Sequence, residues 1–98
     1  MKVVWTHRAR HRLQQILAYI AEDQPINAKR WVEKLIDRGD SLQDLPERGR
    51  MVPEYHDPEI REIPEGAYRI IYRLGSKRVD ILTVRHSSQL LPAEIHRL

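Results

Sequence analysis

The chain has 98 residues, enough for one domain spanning residues 1–98 and too few for a second. It contains no cysteine, which excludes disulfides and thiolate metal sites, and its longest apolar runs, such as ILTV, are far too short to cross a membrane. Lys and Arg number 17 against 14 Asp and Glu, a net charge of +3; with 41% hydrophobic and 32% charged residues the composition is that of a globular protein, not a disordered one. The absence of cysteine suits a reducing cytosol and MKVVWTHRAR lacks the apolar stretch of a secretory signal, so a cytoplasmic protein is expected.

Met1 to Trp5 is rich in β-formers and reads as a strand. Thr6 then stands as an N-cap, and Ala9, Leu13, Ile16, Leu17 and Ile20 recur on one face of an amphipathic helix ending near Asp23. Pro25 opens a second helix, as proline tolerates the first turn. Its apolar stripe runs through Ala28, Trp31, Val32, Leu35, Ile36 and Leu42, fading toward Leu45, with a Lys29–Glu33 pair on the outer face. Gly39 falls on the inner face, which predicts close packing against the first helix. Trp5 and Trp31 fit the apolar stripes and are read as core.

Pro46, Gly49, Pro53 and Pro58 mark an irregular middle segment with room for a short strand within Arg50–Tyr55. Ile60–Ile63, Tyr68–Leu74 and Lys77–Val84 are strands. Gly75-Ser76 fits a two-residue type II′ hairpin loop, and a helical turn is expected after Ser88. The order β-α-α-β-β-β implies an α+β fold: a small domain with a helical hairpin packed on one face of an antiparallel sheet.

If Gly75-Ser76 is the loop, Tyr72 faces Val79, Ile70 faces Ile81 and Tyr68 faces Thr83, all on the side under the helices. The other side then carries Arg69, Ile71, Arg73, Arg78, Asp80, Leu82, Val84 and His86. Asp80 neutralises Arg73 or Arg78, which leaves Arg69 and His86 either free for an anionic partner or, for Arg69, paired with Glu62 or Glu65. Arg61 is expected on the same side, although a slip of one residue would reverse every assignment. A second cationic cluster opens the first helix, where Arg8, Arg10 and Arg12 stand with His7 and His11. The helix dipole disfavours cations there by about 0.3–1 kcal/mol each, so Arg8, Arg12 and the neighbouring Tyr19 point to an anionic partner. His7 and His11 have metal-ligand spacing but no third ligand, and no cofactor motif occurs.

The ordered set VVWTHRARHRLQQILAYIAEDQPINA, LPERGRMVPE, REI, YRIIYR and VDILTVRH resembles the RelE/ParE superfamily of bacterial toxins from type II toxin–antitoxin systems, over nearly the whole chain. The resemblance implies a β-α-α-β-β-β domain, a cytoplasmic toxin often found in plasmid stabilisation modules, and a cognate antitoxin whose acidic tail wraps it. It also implies one of two targets. ParE-like toxins poison DNA gyrase without being enzymes, whereas RelE-like toxins are metal-independent endoribonucleases that cut mRNA on the ribosome.

Cleaving RNA through its own 2′-hydroxyl needs a base, an acid and cations around the phosphorane. Here His86 with Arg61, Arg69 and Arg85 would supply them, but Ser87 and Ser88 follow His86 with no tyrosine nearby, and a lysine-rich loop is replaced by PERGRMVPEY. LPERGRMVPE and the helical pair are closer to ParE, so a DNA gyrase inhibitor is the expectation and a ribosome-dependent endoribonuclease the alternative. Arg8, Arg12, Tyr19, Arg61 and Arg69 are the candidates for contact with a partner. Extended peptides add to open sheet edges, and Ile60–Ile63 is the candidate edge.

Overall fold

A computed structural model describes all residues from Met1 to Leu98. Its elements are β1 (Lys2–Trp5), α1 (His7–Asp23), α2 (Pro25–Asp40), β2 (Arg50–Met51), β3 (Ile60–Glu65), β4 (Tyr68–Leu74) and β5 (Arg78–His86), with single 3₁₀ turns at Ser41–Gln43 and Ile95–Arg97. The helices and strands fall where the periodicity puts them. The second helix ends at Asp40, and the turn that follows still buries Leu42.

Thr6 caps α1, its hydroxyl accepting from the Ala9 amide at 3.2 Å and donating to the Ile81 carbonyl at 2.7 Å. The cap therefore also ties the helix to the sheet. The five strands lie in the order β1-β5-β4-β3-β2. All pairs are antiparallel except β1–β5, which is parallel, Lys2 opposite Arg78 and Trp5 opposite Ile81. A parallel neighbour requires a long crossover, and here the chain leaves β1 through both helices. The sheet is thus mixed rather than purely antiparallel.

Under the helices, Ile63, Ile70, Tyr72, Val79, Ile81 and Val84 meet Ala9, Leu13, Ile16, Val32, Leu35 and Leu42 in the main core. Each fully buried aliphatic side chain in it contributes about 1.5–3 kcal/mol. Gly39 is buried where α2 crosses the sheet, and its neighbours are Trp5 and Ile81, not α1. Trp5 reaches past it to donate its indole N–H to Asp40 Oδ1 at 2.8 Å. Trp31 is 40% exposed and is therefore only partly a core residue.

The hairpin differs from the two-residue reading. Gly75 donates its amide to the Arg78 carbonyl at 3.0 Å, so Ser76 and Lys77 occupy the turn. The single glycine at positive φ is Gly66, at +59°; a type II′ turn starting at Gly75 would need positive φ there. Leu74 consequently pairs with Val79 and Tyr72 with Ile81. A bulge then follows: Ile71 pairs with Thr83, leaving Leu82 as the extra residue, so Ile70 meets Val84, Arg69 meets Arg85 and Tyr68 meets His86. An inserted residue reverses the alternation beyond it. Val84 and His86 therefore lie on the helix side, and Arg85 joins Arg69 on the far side.

The far face is not an open cationic surface. Val52, Tyr55, Ile60, Ile71 and Leu98 form a second core there, with Leu82, Leu91 and Ile95 packed against it. Nor is Ile60–Ile63 an edge: Arg50 and Met51 of β2 pair with Glu62 and Arg61, and the Val52 amide donates to the Ile60 carbonyl at 3.0 Å.

Candidate functional site

The four side chains read from the sequence as a nuclease constellation divide between the two faces of the sheet: Arg69 and Arg85 are cross-strand neighbours on the far side, whereas Arg61 and His86 lie on the helix side. Arg61 lies opposite Tyr72 on the helix side, so the expectation that it shares a face with Arg69 fails. Its Nη1 donates to the carbonyls of Gly49 at 3.1 Å and Glu47 at 3.3 Å. Beside it, the Tyr72 hydroxyl donates to the Pro46 carbonyl at 2.8 Å and accepts from the Gly49 amide at 3.0 Å. A Cβ on Gly49 would run into the Tyr72 hydroxyl and lie 2.8 Å from the Glu62 carbonyl. The LPERGR segment is therefore explained by how closely its backbone is held, with Arg61 as one of its anchors.

Arg69 is 13% exposed and internally paired. Its Nη2 lies 2.8 Å from Glu54 Oε2, and its Nε lies 3.2 Å from Glu62 Oε1, an ionic contact off the N–H direction. Glu62, 4% exposed, also accepts from Arg50 at 2.8 Å. Burial raises the Glu54 carboxyl, but the hydrogen bond from Arg69, a backbone hydrogen bond and the charges of Arg69 and Arg50 together outweigh it, so Glu54 sits below its ordinary value. Nearby, Arg78 pairs with Asp80 at 3.0 Å, and Arg73 with Glu59 at 3.3 Å and Asp57 at 3.9 Å. Of the far-face arginines, Arg85 alone has no carboxylate partner: its Nε is buried without a hydrogen bond. Burial first, then the positive charges of Arg12, Arg8 and Arg69, push the Arg85 guanidinium below its usual range.

The fold brings Arg12, Tyr19 and His86 together instead. They line a groove of about 520 Å³ between α1 and the end of β5, with Gln15, Ile16, Tyr68, Val84, Ser88 and Gln89. Arg12 is half-buried and enters no ion pair. Burial first, then Tyr19, pushes the Tyr68 hydroxyl up, and the Tyr68 ring stands edge-on to His86 with centroids 5.5 Å apart. A tyrosine absent from the sequence around His86 is thus supplied from β4. The Ser88 amide donates to His86 Nδ1 at 3.2 Å, and the Ser88 hydroxyl lies 2.7 Å from the same nitrogen. With Nδ1 accepting, a neutral ring carries its proton on Nε2.

Arg8 does not join this groove. It is exposed, and its Nη1 donates to the carbonyls of His96 at 2.8 Å and Leu98 at 2.7 Å, holding the C-terminal segment against the sheet. Gln15, Tyr68, Ser88 and Gln89 are groove residues that sequence reasoning did not place together. The only signal lay in Gln15, which falls on the Arg12–Tyr19 flank of the helix.

The family model of the ParE toxin of the type II toxin–antitoxin system parDE matches residues 3–91. A protein of Sinorhizobium fredii (strain NBRC 101917 / NGR234) named as toxin Y4kP is 38% identical over 93 residues, covering 93% of each chain. Toxin RelE2 of Caulobacter vibrioides (strain ATCC 19089 / CIP 103742 / CB 15) is 36% identical over 90 residues, 91% of this chain and 98% of that one. The fold is shared with a chain of the chromosomal ParDE toxin–antitoxin system from P. aeruginosa, at a TM-score of 0.76 and 21% identity over 88% of this chain and 95% of that chain. It is also shared with a chain of the toxin–antitoxin complex RelBE2 from Mycobacterium tuberculosis, at a TM-score of 0.64 and 24% identity over 87% and 95%. With the two-helix layer on a five-stranded sheet and a family match spanning nearly its whole length, the chain belongs to the ParE toxin family of type II toxin–antitoxin systems.

Proposed function

We propose that this toxin poisons DNA gyrase and is neutralised by a cognate antitoxin. The observation that carries the choice of target is that the nuclease candidates do not converge on one point: Arg69 and Arg85 are neighbours on the far face, away from His86 and Arg61. Arg61 anchors the LPERGR loop, Arg69 is held between Glu54 and Glu62, and Arg85 and His86 lie on opposite faces. A phosphorane needs its cations and its acid–base pair around one point, and a gyrase poison needs only a binding surface. An antitoxin partner is supported by the ParDE and RelBE2 complexes that share this fold. Purified toxin is expected to inhibit supercoiling by gyrase and to accumulate cleaved DNA. Unimpaired supercoiling at saturating toxin overturns the reading.

A second reading, ribosome-dependent cleavage of mRNA, is favoured by one feature, the pairing of Tyr68 with His86 beside Arg12. It expects His86→Ala to abolish cutting of messages in a translation reaction. The gyrase reading expects His86→Ala to remain able to trap DNA breaks.

A further inference from the structure

A recess of about 480 Å³ beside α2 is lined by six side chains, none of them hydrophobic: Lys34, Asp37, Arg38, Ser41, Arg48 and Glu65. It shares no residue with the groove of Arg12 and His86. Three of the six are cations, and none of the three enters an ion pair, although two acids line the same recess. Arg38 Nε donates instead to the Pro64 carbonyl at 3.2 Å, and Arg48 Nη1 to the Ser41 hydroxyl at 2.9 Å. The Ser41 hydroxyl donates in turn to the Arg38 carbonyl. These bonds orient both guanidinium groups and leave their remaining N–H groups without a protein acceptor. Arg48 belongs to the LPERGR segment, whose backbone Tyr72 and Arg61 hold from beneath, so its point of departure is fixed. Arg30, Lys34 and Arg38 recur at every fourth residue and share one face of α2, stepped about 6 Å apart. Like charges at that spacing weaken a helix. The helix dipole favours Arg38, in the last turn, and the Trp31 ring attracts Lys34, whose Nζ is 5.3 Å from its centroid. Neither effect accounts for Arg30, for Arg48, or for the row as a whole.

We propose that the α2 face of Arg30, Lys34 and Arg38, continued by Arg48, is a docking surface for the phosphate backbone of duplex DNA. A stepped row of cations is what tracks a phosphate backbone, and guanidinium N–H groups with a hydroxyl beside them suit phosphate oxygens. An acidic polypeptide would need a place for its apolar side chains, and this recess has no hydrophobic lining. A single strand would need aromatic faces for its bases, and the ring of Trp31 has Lys34 over it. Asp37 and Glu65 limit how far a phosphate can enter, so contact is with the cations at the rim and carries no base sequence. The choice of DNA over duplex RNA rests on the proposed function, because gyrase holds a DNA duplex where the toxin would meet it. The phosphate chemistry of the surface does not depend on that reading.

The test uses the full 98-residue chain, labelled with ¹⁵N. It is titrated with a fluorescein-tagged DNA duplex two helical turns long, with an RNA duplex of the same length, and with a poly-glutamate peptide of equal net charge. On the unaltered chain the DNA is expected to shift the Arg38 and Arg48 Nε signals saturably and to leave the Arg12 Nε signal in place. The logarithm of the binding constant should fall linearly with that of the salt concentration, with a slope of about −2.7 to −3.6 for three or four phosphates neutralised. Lys34→Gln and Arg38→Gln should each weaken binding equally for unrelated DNA sequences and reduce that slope by about 1. Arg73→Gln removes a cation that is already paired and should change neither. Shifts at Arg12 in place of Arg38 and Arg48, a salt slope that Lys34→Gln leaves unchanged, or tighter binding of poly-glutamate or duplex RNA would each overturn the proposal. The first and third outcomes are read on the unaltered chain, so a variant that folds poorly does not protect the idea. A chain that inhibits gyrase but does not bind the DNA duplex sinks this surface alone; one that binds the duplex but leaves supercoiling unimpaired sinks the target alone.

Discussion

Neutralising Glu62 is the perturbation most informative about the far face. Glu62 stands between two arginines of unequal exposure: Arg50 is 72% exposed and Arg69 13%. The Arg50 arm of the network is solvent-screened, so losing it costs about 0–1 kcal/mol. The Arg69 arm is desolvated, where breaking an ion pair costs about 3–5 kcal/mol because a buried charge is stranded. Arg69 would not be wholly stranded, since Glu54 Oε2 remains 2.8 Å from its Nη2. Glu62→Gln, which keeps shape and removes charge, is therefore expected to cost about 2–3 kcal/mol. For a domain of this size that is a fall in Tm of about 8–24 °C. The assay is urea unfolding at pH 7 of Glu62→Gln, Arg50→Gln and the double variant. Arg50→Gln should cost under about 1 kcal/mol, because its partner keeps the Arg69 contact. If Glu62→Gln costs no more than Arg50→Gln, Arg69 is not held by this network and its guanidinium is available to a partner after all.

Gly39→Ala gains about 1 kcal/mol of helix propensity. Against that, the added methyl meets the Trp5 ring, with Cη2 at 2.8 Å, and Ile81 Cδ1 at 2.9 Å. Overpacking costs about 1–3 kcal/mol and threatens the Trp5–Asp40 hydrogen bond, so a net loss in the urea midpoint is expected, together with a change in indole fluorescence. Because Glu54 is held below its ordinary value in the folded chain, its contribution is fully present above its unfolded value of 4.5 and is lost as pH falls through its lower folded value. Glu54→Gln should therefore flatten the acid limb of the stability profile below about pH 4.5 and leave its shape near neutrality unchanged.

Element order, element type and the apolar faces of both helices follow from local periodicity. Ala9, Leu13 and Ile16 recur at helical spacing, and Tyr68–Leu74 alternates, because burial of one side imposes those periods. The family was legible for the same reason, as ordered short segments at fixed separations. Tertiary structure alone decided where the charged ends go. The bulge at Leu82 inserts one residue into β5, which turns His86 toward α1 and Arg85 away from it. Alternation carries no mark of such an insertion. Arg69 finds Glu54 across a loop, β1 pairs in parallel with a strand more than seventy residues later, and Tyr68 arrives beside His86. These contacts join segments far apart in the chain, so neighbouring residues do not encode them.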